Sequence, residues 1–234
     1  MRKRRLLQFA TCLLAAPISG AGMAADLSGY LVLTSDYVYR GVTQSDGHAA
    51  GQLGLDLAFE SGLYAGVWVS SVDIDNGPDR HRDLQTNYYL GYGFDLSDQW
   101  RLNTNIVAYT YPGTEGDIDY DYTEYSIGVN YSDRIWFEYA YSPDIYNTGL
   151  STQNFDIYAE WQFASDWVLG TGAGYYDVSS LAGRSYGHWQ LGISRPVGRF
   201  DFDLRYHDSN RWVPIFSTPD RADARLVLSI TLPF

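Results

Sequence analysis

The chain alternates apolar and polar residues over most of its length, and this period of two restricts it more than any other feature. Residues 200–207, FDFDLRYH, set Phe200, Phe202, Leu204 and Tyr206 against Asp201, Asp203, Arg205 and His207. Successive residues of a strand point to opposite faces, so the run has one apolar and one polar side. Residues 154–163 do the same, with Phe155, Ile157, Ala159, Trp161 and Phe163 opposite Asn154, Asp156, Tyr158, Glu160 and Gln162. In the last segment Leu226, Leu228, Ile230, Leu232 and Phe234 oppose Arg225, Val227, Ser229, Thr231 and Pro233.

This pattern predicts about twelve strands, near 28–41, 51–60, 63–73, 83–95, 100–111, 120–131, 134–142, 152–163, 167–177, 185–196, 200–208 and 222–234. Tight connections at Ser61-Gly62, Leu96–Gln99, Ser132-Asp133, Ala164–Asp166 and Val197–Arg199 alternate with longer ones at 42–50, 74–82, 112–119, 143–151, 178–184 and 209–221. An even strand number with alternating short and long connections suits an up-and-down antiparallel barrel. No linker composition interrupts it, so residues 26–234 read as one all-β domain.

Alternation alone does not say which face points inward, because a soluble barrel and a membrane barrel differ in that choice. The aromatics help. Phe59, Phe94, Trp100, Tyr131, Phe163, Trp167, Phe200 and Phe234 fall on the apolar face next to the short turns, and Tyr39, Tyr88, Tyr139, Tyr175 and Tyr206 fall on it towards the long loops. Two aromatic girdles are what a barrel in a bilayer needs. The expectation is a transmembrane barrel with its polar face turned to the lumen. A periplasmic, soluble barrel is the competing reading.

The start of the chain agrees with export. Arg2, Lys3, Arg4 and Arg5 precede an apolar run from Leu6 to Ala16 and then small residues, which reads as a signal peptide over 1–25. It contains the one cysteine, Cys12, so the rest has no disulfide framework. Of 16 Lys+Arg, four lie there and none of the 28 Asp+Glu does, leaving 12 basic against 28 acidic residues and a formal net charge of −16. Such acidity argues against a nucleic-acid partner. The partners expected are outer-membrane lipid and lipopolysaccharide, and small polar solutes or ions. A barrel of this size can stand alone as a monomer.

The candidate pore-lining residues are the acids Asp36, Asp56, Glu60, Glu124, Glu138, Asp156, Glu160, Asp201, Asp203 and Asp223, with Arg40, Arg101, Arg205 and Arg225. Ten carboxylates cannot all pair with four guanidiniums, which points to a hydrated lumen with some preference for cations. A plugged ion-pair network is the alternative. Gly54, Gly66, Gly91, Gly93, Gly128, Gly170, Gly172, Gly174 and Gly192 share that face. They either widen a passage or make room for rings such as Tyr64, Trp68, Tyr89, Tyr109 and Tyr158. In SDYVYRG, residues 35–41, Asp36 and Arg40 would face the lumen and Tyr37 and Tyr39 the lipid. On one strand Asp36 and Arg40 are about 13 Å apart at the usual rise, so Arg40 is expected to meet Asp56 or Asp223 on a neighbouring strand.

No cofactor or metal site is expected. GTGAG at 170–174 has no following helix, and DIDNGPD at 73–79 lacks the full spacing of a calcium loop and reads as a solvated acidic loop. Arg80 and Arg82 beside it could touch lipopolysaccharide. His48, His81, His188 and His207 sit in no hydrolase motif. Ser194 and His188 share a lumen-facing side, where a lipid hydrolase would need them on the lipid side. The chain is read as a non-enzyme.

Residues 35–73, SDYVYRGVTQSDGHAAGQLGLDLAFESGLYAGVWVSSVD, resemble the N-terminal motif of the TorF family of porins, a bacterial family long without an assigned function. The likeness rests on Ser35-Asp36-Tyr37, Tyr39-Arg40-Gly41, Gln44-Ser45, Gln52, and Gly62-Leu63-Tyr64-Ala65-Gly66 with Trp68. It implies an outer-membrane location and a pore, and carries no substrate or catalytic residue. Together these features predict an outer-membrane channel for passive diffusion of small polar solutes or ions. A non-conducting structural or adhesive barrel comes second and a membrane-embedded hydrolase third.

Overall fold

The computed structural model describes residues 25–73, 83–112, 119–213 and 219–234. The expected signal segment lies outside them except for Ala25, as do His81, Arg80, Arg82 and all of 73–79 but Asp73. The strands are β1 (Ala25–Thr34), β2 (Val38–Tyr39), β3 (Val42–Thr43), β4 (Ala50–Phe59), β5 (Leu63–Val72), β6 (Asp83–Asp95), β7 (Trp100–Thr110), β8 (Tyr122–Tyr131), β9 (Ile135–Ser142), β10 (Thr152–Gln162), β11 (Val168–Asp177), β12 (Tyr186–Val197), β13 (Phe200–Ser209) and β14 (Arg225–Pro233). One helical turn, α1 (Ser179–Ala182), sits between β11 and β12.

Twelve of these strands form a closed antiparallel barrel in which each pairs with its neighbour in sequence and β1 also meets β14. Closure leaves the sheet without a free edge strand, which a strand structure in hydrocarbon requires. At the seam, Tyr30 of β1 faces Gly54 of β4 on one side and Pro233 of β14 on the other. Gly29 and Phe234 exchange both backbone hydrogen bonds, at 2.9 and 2.8 Å, beside it. Short turns lie at one rim and the long connections at the other, as the spacing predicts.

The apolar face points outward. Leu33, Tyr88, Phe155, Trp161, Tyr175, Leu191, Leu226 and Phe234 are all exposed, while Gln52, Asn87, Asn105, Glu124, Asn154, Asp156 and Arg205 are buried. A water-soluble barrel has the reverse arrangement, so this is a surface built for an apolar surrounding. Most of the expected girdle residues take their places on it, Phe94, Trp100 and Phe200 at the short-turn rim and Tyr88, Tyr175 and Tyr206 towards the other.

The first strand departs from expectation. It stops at Thr34, not near residue 41, and Thr34 pairs directly with Ala50 of β4. Ser35 still donates its N–H to the Leu228 carbonyl of β14 at 2.9 Å, but residues 36–49 leave the wall. They turn inward as a hairpin of β2 and β3, with Val38 opposite Thr43 and Tyr39 opposite Val42. Tyr37 and Tyr39 consequently do not face lipid: Tyr37 is buried and packs, with Tyr39 beside it, in the cluster inside the barrel.

Candidate functional site

The inner hairpin turns on Arg40-Gly41, which carry φ of 49° and 77°. Two successive positive φ values are what a two-residue hairpin turn needs, and Gly41 supplies one of them without strain. A side chain at Gly41 would also strike the Cβ of His188 on β12 at 2.8 Å, so the turn is pressed against the wall at β12.

Arg40 reaches from the hairpin tip to Glu124 on β8 and is held fork to fork, Nη1 and Nη2 each donating at 2.9 Å. Its guanidinium lies 4.7 Å from the centre of the Tyr39 ring and 4.6 Å from that of Tyr176. Burial works against its charge, but the facing Glu124 carboxylate, with Tyr39 and Tyr176, outweighs it, and its pKa stands well above the ordinary value. The expected partners, Asp56 and Asp223, are not the ones found. Asp56 accepts from Tyr89 Oη on β6, and Asp223 stands exposed in the bend before β14, outside the lumen. Arg40 left the wall with the hairpin, so strand adjacency does not govern what it meets.

Asp36 anchors the hairpin base. It accepts from Arg225 of β14 at 2.7 Å, from Ser45 at 2.8 Å and from Thr43. The arm leading out to β4 is tied as well: Asp73 donates its N–H to the Gln44 carbonyl at 2.8 Å, and Arg221 donates to the Asp73 carbonyl at 2.7 Å. Asp46, His48 and Asp73 bring metal-capable atoms within 4.8 Å of one another. Arg221, however, already stands 3.4 Å from Asp46 and 4.0 Å from Asp73 and supplies the positive charge there. Sequence reasoning did not single out Arg221 or Tyr176, and it met Ser45 only as part of the family motif. The stretch VYRGVT, an x-Gly pair flanked by β-formers, is the signal that marks the hairpin.

The remaining candidates keep to the wall. Glu138, Asp156, Glu160, Asp201, Asp203 and Arg205 face the interior from β9, β10 and β13, and Glu138 sits directly opposite Asp156. Arg205 donates twice to Asp203, at 3.1 and 2.8 Å. Arg101 pairs with Asp95 at 2.9 Å near the short-turn rim, and Glu60 lies in the turn after β4. His188 and Ser194 are six residues apart on β12, about 20 Å at the rise of a strand, far beyond hydrogen-bond reach. His188 instead approaches Asp156 at 3.4 Å.

The glycine question is answered by the rings. A Cβ at Gly54 would collide with the Tyr30 ring, at Gly66 with Tyr89, at Gly91 with Tyr64 and at Gly172 with Tyr158. Each tyrosine covers a glycine on a neighbouring strand, so these glycines make room for side chains. The interior is thereby divided. Tyr64, Trp68, Tyr89, Tyr109 and Tyr122 form an aromatic side on β5–β8, with Tyr109 and Tyr122 stacked 4.3 Å apart. Polar groups crowd β9–β14. Beneath the hairpin a cavity of about 140 Å³ remains, lined by Tyr30, Asp36, Tyr37, Arg40, Gln52, Trp68, Tyr158, His188, Gln190, Asp203, Arg205, His207 and Thr231 among others.

A family described as "Bacterial protein of unknown function (Gcw_chp)" matches residues 18–231. No curated protein matches the sequence. Among solved structures, the KdgM porin superposes with a TM-score of 0.53 at 9% identity, covering 90% of this chain and 99% of that one. The KdgM porin in complex with disordered oligogalacturonate gives 0.54 at 9% identity, with the same coverage. The NanC porin gives 0.54 at 11% identity, over 89% of this chain and 98% of that one. At these identities the likeness is one of fold: a porin-type barrel.

Proposed function

This chain belongs to the Gcw_chp family of bacterial proteins, and from that premise we propose that it is an outer-membrane channel for passive diffusion of small polar solutes or ions, narrowed by its own inner hairpin. The observation that carries the reading is the division of the wall: a closed barrel exposing large apolar residues, with buried polar groups and a cavity inside. The resemblance of residues 35–73 to the TorF porins supports it, as does the signal-like segment over 1–25, which would deliver the chain across the inner membrane. Asp56, Glu138, Asp156, Glu160 and Asp201 exceed the arginines that reach the interior, which favours small cations over anions.

Single-channel recording of the purified barrel in planar bilayers tests this, with the reversal potential in a salt gradient reporting the sign of selectivity. Absence of any conductance overturns it. One observation favours a second reading, a non-conducting structural barrel: the hairpin and the tyrosine cluster occupy much of the interior between them. That reading requires silence in the same recording.

A further inference from the structure

Among the described strand residues, the outward face of the barrel carries one basic side chain. Arg195 on β12 continues the row of Leu191, Ile193 and Val197, and like them it is exposed. The other outward positions of the twelve wall strands are uncharged, except Asp177 and Asp208 at the long-loop ends of β11 and β13. Arg195 lies at the opposite end, close to the short turn that follows β12. A charge on the lipid side is costly at the bilayer midplane and nearly free at headgroup depth, where a long side chain can carry its head to the polar layer.

The surroundings of Arg195 suit that depth. Its guanidinium stands over the Trp167 ring, 5.3 Å from the centroid, and Phe202 faces it directly on β13. Trp167 comes one residue before the Val168–Ser194 pair, in the tight turn closed by the Phe163 N–H donating to the Trp167 carbonyl at 3.2 Å. Val197 is two residues on from Arg195, about 7 Å at the rise of a strand. Arg199 follows in the turn Gly198-Arg199 and is also exposed. Neither guanidinium has a carboxylate within ion-pair distance or a hydrogen bond to protein among the described residues. The ring steadies Arg195 and leaves its N–H donors open to a ligand.

We propose that Arg195, Arg199 and Trp167 form a site for the phosphate of an anionic phospholipid in the leaflet that faces the periplasm. Guanidiniums take phosphate oxygens through paired N–H donors, and an indole ring prefers headgroup depth. The exposed Ile193 and Leu191 continue the same row towards the middle of the wall and give the acyl chains an apolar track. Short turns of a bacterial outer-membrane barrel face the periplasm, so the leaflet within reach is the phospholipid one. Two arginines with no acid beside them favour a headgroup of net negative charge over one that brings its own ammonium. The inference rests on the reading of the barrel as an outer-membrane protein and adds a lipid site to its outer surface; it does not depend on what passes through the lumen.

The test is native mass spectrometry of the full barrel folded in lauryldimethylamine oxide and equilibrated with equal amounts of phosphatidylglycerol and phosphatidylethanolamine of the same chain length. Retention of phosphatidylglycerol is expected to exceed that of phosphatidylethanolamine by about fivefold or more. Arg195→Gln lowers it about fivefold, and Arg195→Lys lowers it less. Arg199→Gln, outside the strands, lowers it too and serves if Arg195→Gln does not fold. Arg211→Gln, in the connection after β13 at the other rim, leaves it unchanged. No preference for phosphatidylglycerol, indifference to both Arg195→Gln and Arg199→Gln, an equal loss in Arg211→Gln, or displacement of the lipid by inorganic phosphate at the same concentration overturns the site. Flotation with phosphatidylcholine vesicles keeps the two readings apart. A barrel that floats but shows no preference for phosphatidylglycerol overturns the site alone; one that does not float overturns the membrane reading and the site with it.

Discussion

Arg40 and Glu124, 84 residues apart in sequence, meet inside the barrel through two parallel hydrogen bonds of 2.9 Å, both side chains almost wholly buried. Removing one partner strands the other's charge, which typically costs about 3–5 kcal/mol. Arg40→Ala and Glu124→Ala are each expected to lower stability by that order, and Arg40→Met with Glu124→Leu to regain most of it. Denaturant unfolding from lipid vesicles measures all three. Single-mutant losses that simply add in the double mutant would show that the pair is not coupled.

Because Thr34 pairs directly with Ala50, the wall does not need the segment between them. Replacing residues 35–49 by Asn-Gly closes the same register with a two-residue turn. The shortened barrel is expected to fold and to conduct several times more than the parent in planar bilayers. Unchanged conductance would mean that the hairpin does not set the narrowest point.

The ring-over-glycine pairs predict a reciprocal pattern of cost. Gly54→Ala forces the Tyr30 ring off its seat, an overpacking that costs about 1–3 kcal/mol. Pairing it with Tyr30→Ala is expected to recover part of that loss, since the clash disappears with the ring. Unfolding midpoints of the two single mutants and the double mutant give the coupling.

Neighbouring residues on β12 test which side meets lipid. Leu191 is exposed on the outer face and Gln190 lines the cavity. Leu191→Arg is expected to destabilise the barrel in vesicles by about 2–4 kcal/mol if it lies near the bilayer midplane. Gln190→Arg should cost less and shift the reversal potential towards anions. The same penalty at both positions would remove the distinction between the faces.

The twelve wall strands were legible in the sequence because a half-apolar strand writes its orientation into every second residue, as FDFDLRYH does. The order of short and long connections followed from turn residues. The inner hairpin was not legible in the same way. Asp36, Val38 and Arg40 alternate with Tyr37 and Tyr39 as regularly as any wall strand, and strands at the wall and strands inside the lumen share one period. Only Gly41 breaks the run, and Arg-Gly is a weaker turn signal than Asn-Gly or Asp-Gly. Once residues 36–49 leave the wall, register no longer limits their contacts, so Glu124 could not be picked out from neighbouring strands. The glycines were ambiguous for a related reason: a missing side chain shows that space is needed and does not show what fills it. Tyr30 and Tyr158 supply that answer only in three dimensions.

The 2.7 Å contact between Asp36 and Arg225 joins the base of the hairpin to β14, the strand that seals the barrel against β1. The two residues are 189 positions apart, so nearly the whole chain must be in place before they can touch. Closing the cylinder and fastening what it encloses are therefore one step in assembly. A sheet still waiting for its final strand has an open edge and a hairpin lacking this anchor, and both defects end together.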